Sequence, residues 1–180
     1  METNLNQTAK ETLKVIHNRK SVRHFKAGEV SSENIEILLK AGMAAPSAVN
    51  SQPWEFIVLK NRKVLDEIAD KLPYSKMLFQ ATAAIVVCAV KKQAHHQLEE
   101  FAIIDASLVS ENILLAAESL GLGAIWTAAY PYEDRQNIVR KALNIPDDII
   151  PLNVIPIGFP TGEDIPKEKF NENKIHWEKW

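Results

Sequence analysis

Eight consecutive apolar residues lie near the middle of this chain: Ala83-Ala84-Ile85-Val86-Val87-Cys88-Ala89-Val90. Isoleucine and valine form the middle of the run, and their branched side chains favour extended backbone. A continuous apolar run, in contrast to an alternating one, is typical of a strand that is buried on both faces. The sequence therefore predicts a strand that other elements cover on both sides.

Helical and strand patterns alternate around this buried run. A strand is predicted from Trp54 to Leu59, and a short one from Gly123 to Thr127. Apolar residues at helical spacing predict helices over residues 5–18, from Ser31 or Ser32 to Met43, from Asn61-Arg62 to Pro73, from about Glu99 to Leu120 and over 132–143. Gly121 is expected to end the longest helix. This alternation predicts an α/β or α+β class.

The last predicted strand, Leu152 to Phe159, contains Pro156. Proline lacks a backbone N–H and cannot donate to a neighbouring strand. Within sheets it occurs mainly on edge strands and at bulges. We therefore expect this strand to lie at an edge of the sheet or to carry a bulge.

Composition argues against several classes of function. The 180 residues are 46% hydrophobic and 24% charged, which suits one globular domain over residues 1–180. A net charge of −2, from 21 basic and 23 acidic residues, gives no sign of binding to nucleic acid or an anionic membrane. The polar N-terminus lacks a signal-peptide pattern, and no apolar run reaches the length of a membrane span. We expect a cytoplasmic protein in which the single cysteine, Cys88, is buried and unreactive.

Three cations and a hydroxyl fall within the five residues Arg19-Lys20-Ser21-Val22-Arg23, directly after the first predicted helix. We call these residues the basic segment. Arginine offers a planar fork of donors that matches phosphate oxygens, and serine adds a hydroxyl donor. The alternative is a solvated helix end, where cations complement the helix dipole. From these residues alone both interpretations stay open.

The last part of the chain, residues 160–180, is too polar for a core but contains Phe170, Trp177 and Trp180. A tail of this kind usually packs on another surface. The longest helix is apolar around most of its circumference, so we expect part of it to be covered as well. Both features predict contact with a second subunit, with residues 160–180 acting as an arm.

Four segments follow one another in a recognisable order. They are the basic segment, Ala45-Pro46-Ser47-Ala48-Val49-Asn50-Ser51-Gln52-Pro53-Trp54, residues 112–126 ending in Leu120-Gly121-Leu122-Gly123-Ala124-Ile125-Trp126, and Lys174-Ile175-His176-Trp177. Together they resemble the FMN-dependent nitroreductase family, in order and in spacing, over nearly the whole chain. One such segment would be a weak signal, but four in register identify the chain as a member of that family.

The resemblance implies a nitroreductase-like α+β fold with a central mixed sheet flanked by helices. It also implies a homodimer that exchanges its C-terminal arms and holds FMN at two interface sites. The implied reaction is ping-pong: NADH or NADPH reduces the flavin at N5, and a nitroaromatic, quinone or similar small acceptor then takes the electrons. Because the cofactor carries the chemistry, no catalytic side chain is expected.

The resemblance also assigns roles to individual residues. Arg19 and Lys174 would contact the FMN phosphate, with Ser21 adding a hydrogen bond and Lys20 contributing mainly through its backbone. Arg23 would reach the pyrimidine edge of the flavin and stabilise its reduced form. The remaining implied contacts come from two further loops: Pro46, Ser47 and Asn50 of the other subunit, and Trp126, Thr127 and Ala128 on the opposite side of the ring.

Two departures from the family pattern keep alternatives open. Many relatives carry arginine where this chain has Lys174, which binds phosphate without the bidentate fork. Residues 91–100 are short beside the lids of some relatives, and the lid trio of the dehalogenating branch cannot be placed here. A flavin-binding or flavin-processing protein, a reductive dehalogenase and a dimeric interaction protein remain the alternatives. His95-His96 is interpreted as a solvated pair, not a metal site.

Overall fold

A computed structural model describes residues 5–180 of the protein. Its helices are α1 (Gln7–Asn18), α2 (Ser32–Met43), α3 (Arg62–Lys71), α4 (Glu99–Ser119) and α5 (Glu133–Leu143). Its strands are β1 (Phe25–Lys26), β2 (Trp54–Leu59), β3 (Ala83–Ala89), β4 (Gly123–Ala124), β5 (Thr127–Ala128) and β6 (Ile150–Pro160). The predicted helices and the strand at 54–59 are confirmed to within a few residues.

Side-chain caps explain why three of these helices begin where they do. Asn6, Ser31 and Asn61 precede α1, α2 and α3, and each accepts a hydrogen bond from a backbone N–H of the first turn. Of the two serines considered for α2, Ser31 is the cap. At the other end of α4, Gly121 adopts a φ of +70°, a left-handed conformation that ends the helix as expected.

The sheet has the strand order β1-β6-β3-β2, and β4 and β5 also pair with β6. All of these pairings are antiparallel, so among the described residues the sheet is more uniform than the mixed one expected. Helices and an antiparallel sheet together confirm the α+β class.

Strand β3 is buried on both faces, as predicted. Its alternate residues Ile85 and Val87 pack in one apolar cluster with α2 and α4. Val86 and Cys88 belong to a second cluster with α3 and α5. The sheet is therefore covered by helices on each face, and each β3 side chain is at most 1% exposed.

The prediction that Pro156 places its strand at an edge of the sheet is wrong, but the bulge predicted as the alternative is present, because the pairing of β6 with β3 shifts register between Asn153 and Pro151. Strand β6 is the central strand: β3 pairs along one side of it, and β4 and β5 pair along the other. β4 pairs with residues 157–158 and β5 with 153–154, so Pro156 faces the gap between them. Proline is tolerated there because the ladder is already interrupted at that point. The same gap splits the single strand predicted over 123–127 into β4 and β5.

The C-terminal residues 165–180 lie exposed on the chain. The relative exposure of Phe170 is 69%, that of Trp177 84% and that of Trp180 101%. Helix α4 buries one face as expected, but Ile104 and Leu108 on its other face are 56% and 41% exposed. The apolar side chains of residues 165–180 and of this face of α4 are therefore left largely uncovered by the described part of the chain.

Among residues 5–180 we find no helix with both the length and the hydrophobicity needed to cross a membrane. The cytoplasmic location stays a prediction.

Candidate functional site

The basic segment is held in an extended path between α1 and β4. Arg19 ends α1, and its N–H still bonds to the carbonyl of Val15. Val22 is 1% exposed and donates its N–H to the carbonyl oxygen of Ala124 at 3.1 Å. A Cβ at Gly123 would lie 2.6 Å from Cγ1 of Val22, so this close approach requires glycine. The backbone of the segment is therefore fixed, and Lys20, Ser21 and Arg23 lie beyond the helix end.

Two of the cations contact glutamates on α4. Nε of Arg19 lies 3.4 Å from Glu111, and Nζ of Lys20 lies 3.1 Å from Glu118. The Lys20 pair is the more enclosed, because both side chains are about one-fifth exposed (20% and 19%). The ammonium of Lys20 is thus already paired, which agrees with a contribution mainly through its backbone.

One cleft of about 350 Å³ is lined by Arg19, Lys20, Ser21 and Arg23 together with five residues from the stretch 163–169. Two further cations in that stretch, Lys167 and Lys169, line it as well. Sequence reasoning missed both lysines, although their alternation in Pro166-Lys167-Glu168-Lys169 places them on one side of an extended chain. Guanidinium, ammonium and hydroxyl donors in one cleft fit an anionic group such as a phosphate.

Asp164 is an acidic residue of the same cleft. Its Oδ2 accepts hydrogen bonds from the backbone N–H groups of Arg23 at 2.8 Å and His24 at 3.1 Å, and lies 3.2 Å from Nδ1 of His24. Partial burial would raise the pKa of Asp164, but these hydrogen bonds outweigh it and hold the pKa below its usual value. Asp164 is therefore ionised at neutral pH.

The loop over residues 44–53 is held by α4. Asp105 is 3% exposed, and its two carboxylate oxygens lie 3.3 and 3.2 Å from the backbone N of Ala48. The hydroxyl of Ser47 accepts a hydrogen bond from the N–H of Gln52 at 2.9 Å. Val49 has a φ of +50° and is 74% exposed. A β-branched residue in the left-handed region is strained, and such strain is common in ligand-binding loops.

Trp126, Thr127 and Ala128 form the interruption after β4 and the strand β5. Thr127 is 5% exposed, and its hydroxyl has no hydrogen-bond partner among the described residues. Strand β5 pairs with Val154 and Asn153 of β6, which fixes its position beside the central strand.

The single chain does not bring all of the predicted site residues together. Lys174 is exposed in a short turn at Glu172–Lys174 and is not among the residues that line the cleft. The same holds for the loop residues Pro46, Ser47 and Asn50 and for Trp126, Thr127 and Ala128. Their roles in cofactor binding stay predictions.

Cys88 is confirmed as a buried residue of β3. Burial raises the pKa of its thiol to about 12, so it stays protonated and is a poor nucleophile at neutral pH. His95 and His96 stack with ring centroids 3.8 Å apart, and His95 packs edge-on against Phe101. Among residues 5–180 no group of three or more His, Cys, Asp or Glu side chains is placed to hold a metal ion.

These observations define an α+β protein with a cation-lined cleft suited to a phosphate. The Nitroreductase family profile matches residues 16–72 and 70–159, and the chain belongs to this family. A protein from Methanothermobacter thermautotrophicus, named as an NADH dehydrogenase/NAD(P)H nitroreductase, is 42% identical over 170 residues, which cover 94% of this chain and 88% of that protein.

Solved structures agree with that assignment. The crystal structure of a protein named in the same way, from Parabacteroides distasonis, is 50% identical with a TM-score of 0.89, covering 94% of this chain and 99% of its own. An FMN-dependent nitroreductase from Clostridium difficile is 26% identical with a TM-score of 0.85, covering 93% and 99%. The predicted family, fold and enzyme class are confirmed. The chain is therefore a nitroreductase-family oxidoreductase, and its relatives include proteins named as NAD(P)H nitroreductases and FMN reductases.

Proposed function

We propose that this enzyme transfers two electrons in a ping-pong cycle from NADH or NADPH to a nitroaromatic, a quinone or a similar small acceptor. The observation that carries the proposal is the cleft into which Arg19, Ser21 and Arg23 converge. When bound, FMN supplies the hydride chemistry at its N5 position. The chain supplies binding, orientation and electrostatics.

The cations of the cleft have distinct roles in this proposal. Arg19 and Ser21 bind the phosphate, and Lys167 and Lys169 add positive charge along the same wall. Arg23 would act at the pyrimidine edge of the flavin, where its positive charge would favour the reduced cofactor. Lys174 joins the phosphate once the arm takes its place in the dimer.

Two other segments complete the site. The cofactor of the other subunit would be contacted by Pro46, Ser47 and Asn50. Their loop is held in place by the Asp105 carboxylate, which accepts a hydrogen bond from its backbone. The opposite side of the flavin would be lined by Trp126, Thr127 and Ala128, with a backbone N–H of β5 as a hydrogen-bond donor to it. The unpartnered Thr127 hydroxyl supports this placement, because a buried polar group is costly without a partner.

A homodimer is part of the proposal. The exposed apolar face of α4 and the aromatic side chains of residues 165–180 supply the surface that a second copy would cover. Residues 1–180 then form one domain whose last residues, 160–180, embrace the partner. Each site lies at the interface, which explains why the predicted contacts do not converge within one chain.

The test is the flavin content and reactivity of Arg19→Ala. Losing a charge-assisted phosphate contact costs about 1.5–3 kcal/mol, which weakens FMN roughly 10- to 150-fold. Lys40→Ala is the control, because Lys40 pairs with Glu36 on the exposed face of α2. The control should stay yellow, bleach with NADH or NADPH without oxygen, and recover its colour when a quinone is added.

Two outcomes would contradict the proposal. A protein whose flavin no pyridine nucleotide reduces would not be this kind of reductase, and an Arg19→Ala variant with full flavin content would make the basic segment structural. Fragmentation of the ring when the reduced protein meets oxygen would favour flavin processing instead.

A further inference from the structure

We infer that Asp164 is a positioning residue for the phosphate cleft: its carboxylate fixes the backbone at Arg23 and His24 and so aims the cations of the basic segment. This inference rests on the proposed binding of the FMN phosphate in that cleft. In this inference a negatively charged side chain supports the binding of an anion, because its hydrogen bonds position the cations.

The hydrogen bonds of Asp164 continue a strand pairing beyond its end. Phe25 of β1 pairs with Pro160 of β6, and Thr161 then donates its N–H to the carbonyl of His24 at 3.0 Å. Past that point the chain of residues 161–164 turns, and within residues 5–180 no backbone carbonyl accepts from the N–H groups of His24 and Arg23. Oδ2 of Asp164 accepts both, at 3.1 and 2.8 Å.

The contact is well placed to act on the cleft. The Asp164 side chain is 14% exposed and lies between the basic segment and residues 165–169, so it joins the two walls of the cleft. On its other flank the segment is fixed by the bond from Val22 to Ala124. The backbone at Arg23 is thus held by two contacts, and loss of the Asp164 carboxylate removes the one that Arg23 itself makes.

The charge of Asp164 makes the inference testable by the sign of the effect. A carboxylate repels phosphate, so on simple electrostatics its removal should tighten FMN binding. If Asp164 instead aims the donors, its removal should weaken binding, because misplaced donors no longer match the phosphate oxygens. The two accounts predict opposite results.

Glu163 supplies a matched control. It is the adjacent residue, carries the same charge and lines the same cleft, but the one described polar contact of its side chain is 4.0 Å to Nε2 of His24. Glu163→Gln therefore removes one negative charge from the cleft and leaves the backbone hydrogen bonds in place. Asp164→Asn removes the same charge and weakens those hydrogen bonds.

The experiment measures FMN release from the holoproteins on dilution, through the fluorescence of free flavin. We expect Asp164→Asn to bind FMN about tenfold more weakly than the unsubstituted protein. Glu163→Gln should bind FMN equally or more tightly. Riboflavin, which lacks the phosphate, should lose much less affinity for Asp164→Asn than FMN does.

Three results would overturn the inference. They are unchanged or tighter FMN binding by Asp164→Asn, equal weakening by Glu163→Gln, and equal losses for FMN and riboflavin, which would indicate general loosening. If Asp164→Asn does not fold, amide hydrogen exchange of the unsubstituted holoprotein decides: protected N–H groups of Arg23 and His24 support the inference, and unprotected ones overturn it.

Failure of this inference can be told from failure of the proposed function. If Arg19→Ala loses FMN and Asp164→Asn does not, the phosphate cleft stands and only the role of Asp164 is wrong. If Arg19→Ala keeps FMN, the proposed cleft itself is wrong.

Discussion

Strand β3 and the C-terminal residues 165–180 are opposites in one chain. Every side chain of β3 is at most 1% exposed, and helices cover it on both faces. Residues 165–180 expose their large apolar side chains, and Trp180 reaches 101%. The chain thus buries its own core, but it does not bury the apolar side chains of its last residues. In the proposed homodimer, folding and assembly would therefore depend on separate parts of the sequence.

The largest expected effect comes from deletion of residues 165–180. We expect the truncated chain to keep its circular-dichroism spectrum but to elute as a monomer with little FMN. Light scattering and the flavin-to-protein ratio measure this. The deletion leaves Asp164 and the basic segment in place. A truncated chain that still forms a dimer would show that residues 165–180 are not needed for assembly.

The second test makes one substitution on each side of the comparison. Ile85 is fully buried in β3, and Ile165 is 73% exposed. Ile85→Ala should lower the free energy of unfolding by about 2–5 kcal/mol, because it leaves a cavity in the core. Ile165→Ala should change the stability of the monomer by no more than about 0.5 kcal/mol. Denaturant unfolding of both variants in the full-length chain, at a protein concentration low enough for the monomer, measures this, and equal losses would contradict it.

Asp105 links the core to the site, and its substitution should have a smaller effect. Asp105→Asn weakens the bond to the N–H of Ala48 and should cost about 1–2 kcal/mol in stability. It should also weaken FMN binding in the dimer, because the loop that carries Ser47 loosens. The control is Asp70→Asn, whose carboxylate is 75% exposed. Identical flavin content in both variants would show that Asp105 does not position the loop.

The smallest effect concerns Cys88, at the centre of the core. Burial raises the pKa of its thiol from 9.0 to about 12 in the folded protein. The unfolded chain therefore loses this proton at a lower pH than the folded protein does. The stability that the protonated thiol contributes is fully present below pH 9 and declines as the pH rises toward 12. At pH 8 we expect no reaction of the native protein with a thiol reagent, and full reaction after unfolding. Rapid modification of the native protein would show that the Cys88 thiol on β3 is accessible to solvent.

Local sequence patterns predicted the helices and strands, but they could not predict which distant strands pair with one another. Caps such as Ser31 and the end at Gly121 depend on a few neighbouring residues, and they were predicted. The central position of β6 was not, because the gap that accommodates Pro156 arises from strands 25 or more residues earlier in the chain.

The site divides in the same way. The basic segment was found from its residue types, and the structure confirms that its cations share a cleft. Lys167 and Lys169 were missed because two alternating lysines on a polar tail look like an ordinary solvated surface. Lys174 does not line that cleft in the single chain, and neither residue type nor spacing determines its position.

The central position of β6 has a consequence for how the protein is made. Four of the five strand pairings include residues 150–160, and one of them joins Phe25 to Pro160. On the ribosome, only the β2–β3 pair could form before those residues emerge. Until then one edge of β3 has no strand beside it, so this is the period in which the nascent chain is most exposed to aggregation.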